Sequence, residues 1–449
     1  MARDTPLTTD RDTTGSQPRA HLQGQSPGQS TTGVATSTLP ADPGAAHVAR
    51  NSTMPQPVPS EVANRCKARK LEVERVTHWE DLVHQSSCWD ELAGAAIEPN
   101  VFYSSFAVLA AMRHLTPPGE PEFLIVRGID SGAPTDATVW CGFFPFMRFP
   151  RYQSIPANTL RFLKHDYCFL CAPLIRKDCA KETLRALTDW LDNARLSILE
   201  WTDQPGDGRY AELLTEYFHA RGNQPWLSGS HVRALLLSAS NADTYIRTNL
   251  SGGRIKELRR LERRLTDLGE VQYICVADPR SLATWIDEFL QLEHAGWKGV
   301  GQTAIASKAA HQLFFLEFAQ EAARRGHLRI LALLLDGRPI AIKCNVLAGP
   351  GSFAFKITYA EEFAKYSPGQ LLEIDNIRRV HAETGIEWMD SCADPIHPMI
   401  DTLWGQRRTI RTWVSPVGRW GRFVVAALPL LRWLKRSVRP AQAIAENSL

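Results

Sequence analysis

Apolar and polar residues alternate over Ser352-Phe353-Ala354-Phe355-Lys356-Ile357-Thr358-Tyr359, and this run predicts a strand. From Leu371 to about Thr384 the apolar spacing becomes helical, and Ile386 to Met389 predicts a short strand ending in Asp390-Ser391. Between strand and helix lies Tyr366-Ser367-Pro368-Gly369-Gln370-Leu371-Leu372. Pro368 pre-sets a turn, Ser367 can cap the helix, and Gly369 has no Cβ to keep a ligand from the backbone. A strand, a short glycine-containing turn and a helix N-terminus together hold phosphate, because the first helical amides are unpaired and the helix dipole favours an anion. The anion that fits best is the pyrophosphate of coenzyme A.

The same reading applied upstream predicts an α/β chain. Residues 1–65 are rich in Thr, Ser, Gly, Pro and Gln and are expected to be disordered, with order beginning near Leu71. Strands are expected at Phe123–Val126, Val139–Phe146, Tyr167–Leu174 and Leu196–Trp201, and helices at Ala180–Ala194 and Tyr210–Arg221. A turn region, Gly128 to Pro134, joins the first two strands. A second run follows: helix Ile255–Leu268, strand Val271–Val276, and helices Leu282–His294 and Lys308–Arg325. A hairpin, Leu328–Leu335 with Ile340–Leu347, then turns across Asp336-Gly337-Arg338-Pro339. The two runs share an element order, which predicts two similar halves, 66–235 and 236–422, with a boundary near Ser228 to Asn241.

Composition narrows the chemistry. The hydrophobic fraction, 44%, is that of a globular protein, and the net charge of +3 is too small to predict nucleic-acid binding. Basic clusters at Arg254–Arg264 and Arg407–Arg439 read as solvated helix faces. Nine scattered cysteines exclude a disulfide framework; Cys168 and Cys171 have CxxC spacing but lie in an apolar run with no second pair, so no metal site is expected. No Gly-x-Ser-x-Gly elbow and no Walker loop is present. The N-terminus has no signal-peptide pattern, and Phe423–Leu434 is too short to span a bilayer. Residues 423–449 therefore read as a packing helix and tail, with surface attachment through Arg432, Lys435, Arg436 and Arg439 left open. The expected location is the cytoplasm.

The element order from Lys308 to Asp390 resembles the coenzyme-A-binding half of a GNAT acyltransferase. Further segments resemble its CelD-like branch, found beside cellulose and exopolysaccharide synthesis genes. Glu293-His294-Ala295-Gly296-Trp297-Lys298-Gly299 with Gly301-Gln302-Thr303-Ala304-Ile305 resembles "sWKG…GTAI". Glu98-Pro99-Asn100-Val101-Phe102 resembles "EPNPF", with Val101 in place of the second proline. His165-Asp166-Tyr167-Cys168 and Pro173-Leu174 resemble the strand that closes the first half. Lys356-Ile357-Thr358-Tyr359 with Ser367 to Leu372 resembles "K.aYDe…SPG.LL", with Ala360 where an aspartate is usual. Asp394-Pro395-Ile396-His397-Pro398-Met399-Ile400, Leu403-Trp404 and Arg407-Arg408 resemble the terminal segment.

The resemblance implies tandem GNAT-like mixed sheets flanked by helices, as in FemABX transferases. It implies transfer of an acyl group, acetyl first, from acyl-CoA to an amine or hydroxyl of a sugar, lipid or peptide, without a metal. Phe353–Tyr359 and Ile386–Asp390 would splay apart around the thioester. Lys356, Ile357, Thr358, Tyr359 and Ser367, Pro368, Gly369, Gln370, Leu371 and Leu372 would hold the coenzyme. Trp297, Lys298 and Trp404 are candidates for substrate contact. A base must deprotonate the acceptor. Asp390, at the end of the splayed strand, Asp394 and His397 in the next loop, and Glu293 on the opposite wall are the candidates. Aminoacyl transfer from charged tRNA, or a non-catalytic partner of a polysaccharide synthase, are the alternatives.

Overall fold

In a computed structural model the described residues are 70–129, 138–222, 224–238, 241–276 and 278–438. The tail expected at 1–65, the turn at 130–134 and the segment beyond 438 lie outside them. Among the described residues thirteen strands join one mixed sheet. They are β1 (Lys70–Val76), β2 (Glu120–Ile129), β3 (Val139–Tyr152), β4 (Ile155–Phe162), β5 (Leu174–Ile175), β6 (Ile198–Pro205) and β7 (Trp226–Leu237), followed by β8 (Val271–Val276), β9 (Leu328–Leu335), β10 (Arg338–Ala348), β11 (Gly351–Tyr359), β12 (Trp388–Asp390) and β13 (Gln406–Pro416). The sheet order is β1-β2-β3-β4-β6-β13-β7-β12-β11-β10-β9-β8, with β5 beside β3. Two neighbouring pairs, β4–β6 and β11–β12, are parallel.

The last strands of the two runs change places. β13, from the end of the chain, lies between β6 and β7, and β7, which follows β6 in sequence, lies between β13 and β12. The fold is a mixed α/β sheet with helices on both faces. β9 shows why: its eight residues, LRILALLL, are apolar at nearly every position. Ile330, Ala332 and Leu334 share one cluster with Phe314 and Phe318 of helix Ala309–Arg324. Leu331, Leu333 and Leu335 share the other with Leu371, Leu372 and Ile377 of helix Pro368–Ala382. A strand covered on both faces needs no polar alternation.

Three strands escaped the sequence reading: β1, β4 and β7. β7 reads as a loop because Ser228, Gly229, Ser230 and His231 interrupt its apolar pattern. The strand expected at Tyr167–Leu174 is a correction: only Leu174 and Ile175 pair, with Phe143 and Gly142. The buried backbone before them is served by side chains instead. The Asn100 amide donates to the Leu170 and Ala172 carbonyls at 3.1 and 2.8 Å, and the Gln204 amide donates to the Cys171 carbonyl at 2.8 Å.

Candidate active site

β11 and β12 pair only through Gly351–Trp388, Ser352–Met389 and Phe353–Asp390. Beyond Phe353, β11 continues to Tyr359 while β12 has ended, so the two parallel strands part. The helix Pro368–Ala382 begins at the far end of this gap. Gln370 and Leu371 donate their amides to the Ser367 carbonyl, which leaves the Gly369 amide as the free donor of the first turn among the described residues. Ser367 does not cap with its side chain, contrary to expectation. Its φ of 52° is left-handed, and only its carbonyl serves the helix. A Cβ on Gly369 would stand 3.4 Å from the Tyr359 ring and 3.9 Å from Met399, so this glycine forms a wall of the space. The space is a cleft of ≈370 Å³ lined by Ile357, Thr358, Tyr359, Ser367 to Gln370, Trp297, Lys298, Glu293 and His397 to Met399. That volume is within the ~300–1,000 Å³ of small-molecule clefts.

The opposite wall is built by a tight loop. Gly299 is required there, because a Cβ would lie 1.7 Å from the His294 carbonyl. Thr303 and Ala304 donate their amides back to the Lys298 carbonyl at 2.8 and 3.0 Å. Glu293 accepts from the Lys298 ammonium at 3.0 Å and from the Ile305 amide at 2.8 Å. Lys298 also donates to the Ile357 carbonyl at 3.1 Å, on the free edge of β11. Glu293 thus has both oxygens occupied in holding the loop, which corrects its expected role as base.

Residues 252–397 match a family model described as an acetyltransferase (GNAT) domain. These residues carry a GNAT-superfamily acetyltransferase domain. Among solved structures the chain is similar to FemX, with 10% identity over 81% of this chain and all of that one, TM-score 0.47. It is also similar to a conserved protein of unknown function from Bacteroides thetaiotaomicron, with 8% identity over 74% of this chain and 97% of that one, TM-score 0.47. A tandem GNAT protein from the clavulanic acid biosynthesis pathway shares 13% identity over 78% of this chain and 99% of that one, TM-score 0.34. No curated protein sequence matches significantly.

Not every candidate in or near the GNAT domain reaches the cleft. Leu371 and Leu372 are buried in the core on the inner face of their helix, and Trp404 is buried with its indole N–H donating to Glu373 at 3.0 Å. These three are corrected from ligand contacts to core residues. Asp390 is buried and does not line the cleft. The guanidinium of Arg233 reaches it at 2.7 and 2.8 Å, Arg408 donates at 3.0 Å, and the Cys392 amide donates at 2.9 Å. Burial pushes its pKa up, but Arg233 and Arg408 outweigh burial and hold it below the ordinary aspartate value. A carboxylate so held is a poor base, and its expected role is corrected to that of an ion-pair hub. Arg408 extends the hub to Glu98 of the "EPNPF"-like segment. His397 lines the cleft, but its Nδ1 accepts the Met399 and Ile400 amides at 3.3 Å, so in the neutral ring Nε2 carries the proton and donates. Lys356 lies apart from the cleft wall, its ammonium 5.4 Å from the Tyr167 ring centre; burial, then Lys298, lowers its pKa.

Asp394 lines a second cavity of ≈680 Å³, with Lys164, His165, Asp166, Asp203, His231, Arg233, His311 and Cys392. One loop separates the two spaces: Cys392 to Pro395 face the larger, His397 to Met399 the smaller. Tyr167 stands beside Phe355 of β11, two positions past the last β11–β12 pair, and its hydroxyl lies 2.8 Å from His311 Nδ1. Burial lowers the pKa of all three histidines, His165 to about 4, so all are neutral near pH 7. Burial, then Glu293, raises that of the Tyr167 phenol. Sequence reading missed that His165, His231 and His311 line one cavity; they come from a loop, a strand and a helix, and no local spacing joins them. Arg254 was read as part of a solvated face, yet its guanidinium reaches the side-chain carbonyl of Gln370 at the cleft edge.

Proposed function

We propose that this protein is an acyl-CoA-dependent acyltransferase, acetyl being the first acyl group to test, and that its acceptor is a primary amine. The observation that carries this reading is the parted strand pair ending in a cleft at a helix start with a free amide. The Gly369 amide, the helix dipole and Arg254 suit the diphosphate, and the edge of β11 from Ile357 to Tyr359, where Lys298 takes only the Ile357 carbonyl, suits an extended amide-bearing arm. In this reading the acceptor enters the larger cavity. Its cations are engaged, Lys164 with Asp203 and Arg233 with Asp390, whereas Asp166 and Asp394 have no ion-pair partner among the described residues. Such a wall attracts an ammonium group. His311, neutral and hydrogen-bonded to Tyr167, takes the ammonium proton; the amine then forms the C–N bond as the C–S bond breaks, and the thiolate leaves as the thiol with the proton that the acylated nitrogen gives up.

The division into halves 66–235 and 236–422, a cytoplasmic setting where acyl-CoA is made, and a role in cellulose or exopolysaccharide metabolism belong to the same proposal; the last is supported by the motif resemblance alone. Calorimetric titration with acetyl-CoA and with coenzyme A tests the first step, and release of free thiol across a panel of amines tests the second. Micromolar binding and amine-dependent thiol release are expected. Absence of heat at millimolar coenzyme overturns the reading in favour of a non-catalytic role.

A further inference from the structure

The helix Gly418–Val438 has two apolar faces, and among the described residues only one packs into an apolar cluster. Val424, Val425 and Leu428 pack in a small cluster with Tyr152, Ile198 and Val414. Gly421 lies against the Ser197 carbonyl, where a Cβ would come within 1.8 Å. This seats the helix firmly by that face. Trp420, Phe423 and Leu430 point elsewhere and remain 50%, 65% and 58% exposed. With Ala427 they recur at spacings of three and four residues, which is one stripe of a helix.

The charge around this stripe is of one sign. Arg419 and Arg422 are exposed on the same helix, and the sequence continues with Arg432, Lys435, Arg436 and Arg439. No acidic residue occurs between Asp401 and Glu446. Among the described residues no helix is long and apolar enough to cross a membrane. An exposed apolar stripe flanked by cations alone, on a helix too polar to insert, matches a helix lying in the plane of a bilayer. A second copy of the chain is a poorer occupant, because pairing two such stripes brings their cations together.

We propose that this helix docks the protein on an anionic phospholipid bilayer, with Trp420, Phe423 and Leu430 among the acyl chains and the arginines at the headgroups. Trp420 also donates its indole N–H to the Pro156 carbonyl at 2.9 Å, which ties the docking stripe to the sheet. The inference does not depend on the acyltransferase reading, because it concerns a different face of the molecule and a different readout.

The test is co-sedimentation of the full-length protein with phosphatidylcholine vesicles, with and without about one-third phosphatidylglycerol. Binding is expected with the anionic vesicles and is expected to weaken as salt is raised. Phe423→Ser with Leu430→Ser should lower the partition coefficient about 30-fold or more without lowering the thermal midpoint, since both side chains are exposed. Arg419→Gln with Arg422→Gln should lower it about 5- to 30-fold. No binding to anionic vesicles, equal binding by the apolar variant, or a concentration-dependent dimer that the apolar variant abolishes would each overturn the proposal.

Discussion

The sheet contains two parallel strand pairs, and they have opposite fates. β4 and β6 pair through Thr159–Ile198, Leu160–Leu199 and Arg161–Glu200, then part, as β11 and β12 do after three pairs. Beyond β4 the gap is closed by the chain itself. The Cys171 amide donates to the Asp203 carbonyl on β6 at 3.1 Å, Gln204 reaches back to the Cys171 carbonyl, and Cys168, Leu170, Cys171 and Ala172 are buried. The helix nearest in sequence, Ala180–Asn193, starts against β3: Thr183 donates to the Cys179 carbonyl at 2.9 Å, and its methyl group occupies the place a Cβ on Gly142 would take. Among the described residues the gap after β12 has no such filling, and its helix starts at the ≈370 Å³ cleft. Parting of parallel strands is therefore not enough to leave a cleft; the helix start must also be left with a free amide and room in front of it. The filled gap still contributes, because the segment that closes it bears His165 and Tyr167 at its near end.

The hardest break of this contrast is to fill the open gap. Gly369→Trp places an indole in the ≈370 Å³ cleft and should abolish measurable coenzyme binding, while circular dichroism stays that of the folded protein. Lys181→Trp, at the exposed start of the helix beside the filled gap, is the matched control and should leave binding unchanged. If the two variants bind coenzyme equally well, the gaps do not differ in the way described.

A second break separates the acceptor side from the coenzyme side. His311→Ala should lower kcat by about 10²- to 10⁴-fold and leave coenzyme affinity as it was. In the unaltered protein the base must be neutral, and burial has lowered its pKa, so the acidic limb of the rate profile should lie below the ordinary histidine value of 6.5. A limb above that value, or a variant with normal turnover, would assign the proton to another group.

Four strands, β6-β13-β7-β12, lie between the two gaps, and the Asp390–Arg233–Arg408 cluster spans β12, β7 and β13. Asp390→Ala leaves two buried guanidinium groups without their shared partner and should cost about 3–5 kcal/mol in stability, read by denaturant unfolding. Because the folded pKa of Asp390 is depressed, its contribution is complete above the unfolded value near 3.8 and is lost as pH falls through the folded value. Unfolding midpoints that do not move between pH 5 and pH 2 more than those of the variant would remove Asp390 from that role.

What was legible in the sequence follows the same division. The C-terminal half announced itself because its signals are local: an alternating strand, a Pro-Gly turn, a helix and a WKG loop all lie within a hundred residues and need no distant partner to be recognised. Trp297, Lys298, Gly369 and the β11 edge were placed in the cleft for that reason. Asp390 was read as a base because its position on β12 was legible, while Arg233 on β7 was not; a buried arginine in an interrupted pattern reads as a loop until its carboxylate is known. Trp404 and Leu372 follow the motif but point inward, since sequence gives order along a helix and not the side from which the core approaches. The larger cavity was hidden because His165, His231 and His311 come from a loop, from β7 and from the helix Ala309–Arg324, far apart in the sequence.

The smallest effect belongs to Arg254, and it tests whether the open gap recruits charge from outside the motif. Its guanidinium is held by the Gln370 side chain at the helix start, on a helix otherwise packed through Leu258, Leu261 and Leu265. A surface arginine with only a solvated role would change nothing on removal. An arginine near the diphosphate should add to the dipole of the helix, an interaction of about 1 kcal/mol that salt screens. Arg254→Ala should therefore raise the KM for acyl-CoA about fivefold with kcat unchanged, and the difference from the parent should shrink as ionic strength rises. A KM difference that persists at high salt would mean that the arginine acts by packing Gln370 rather than by its charge. No difference at low salt would return Arg254 to the solvated face on which its sequence first placed it.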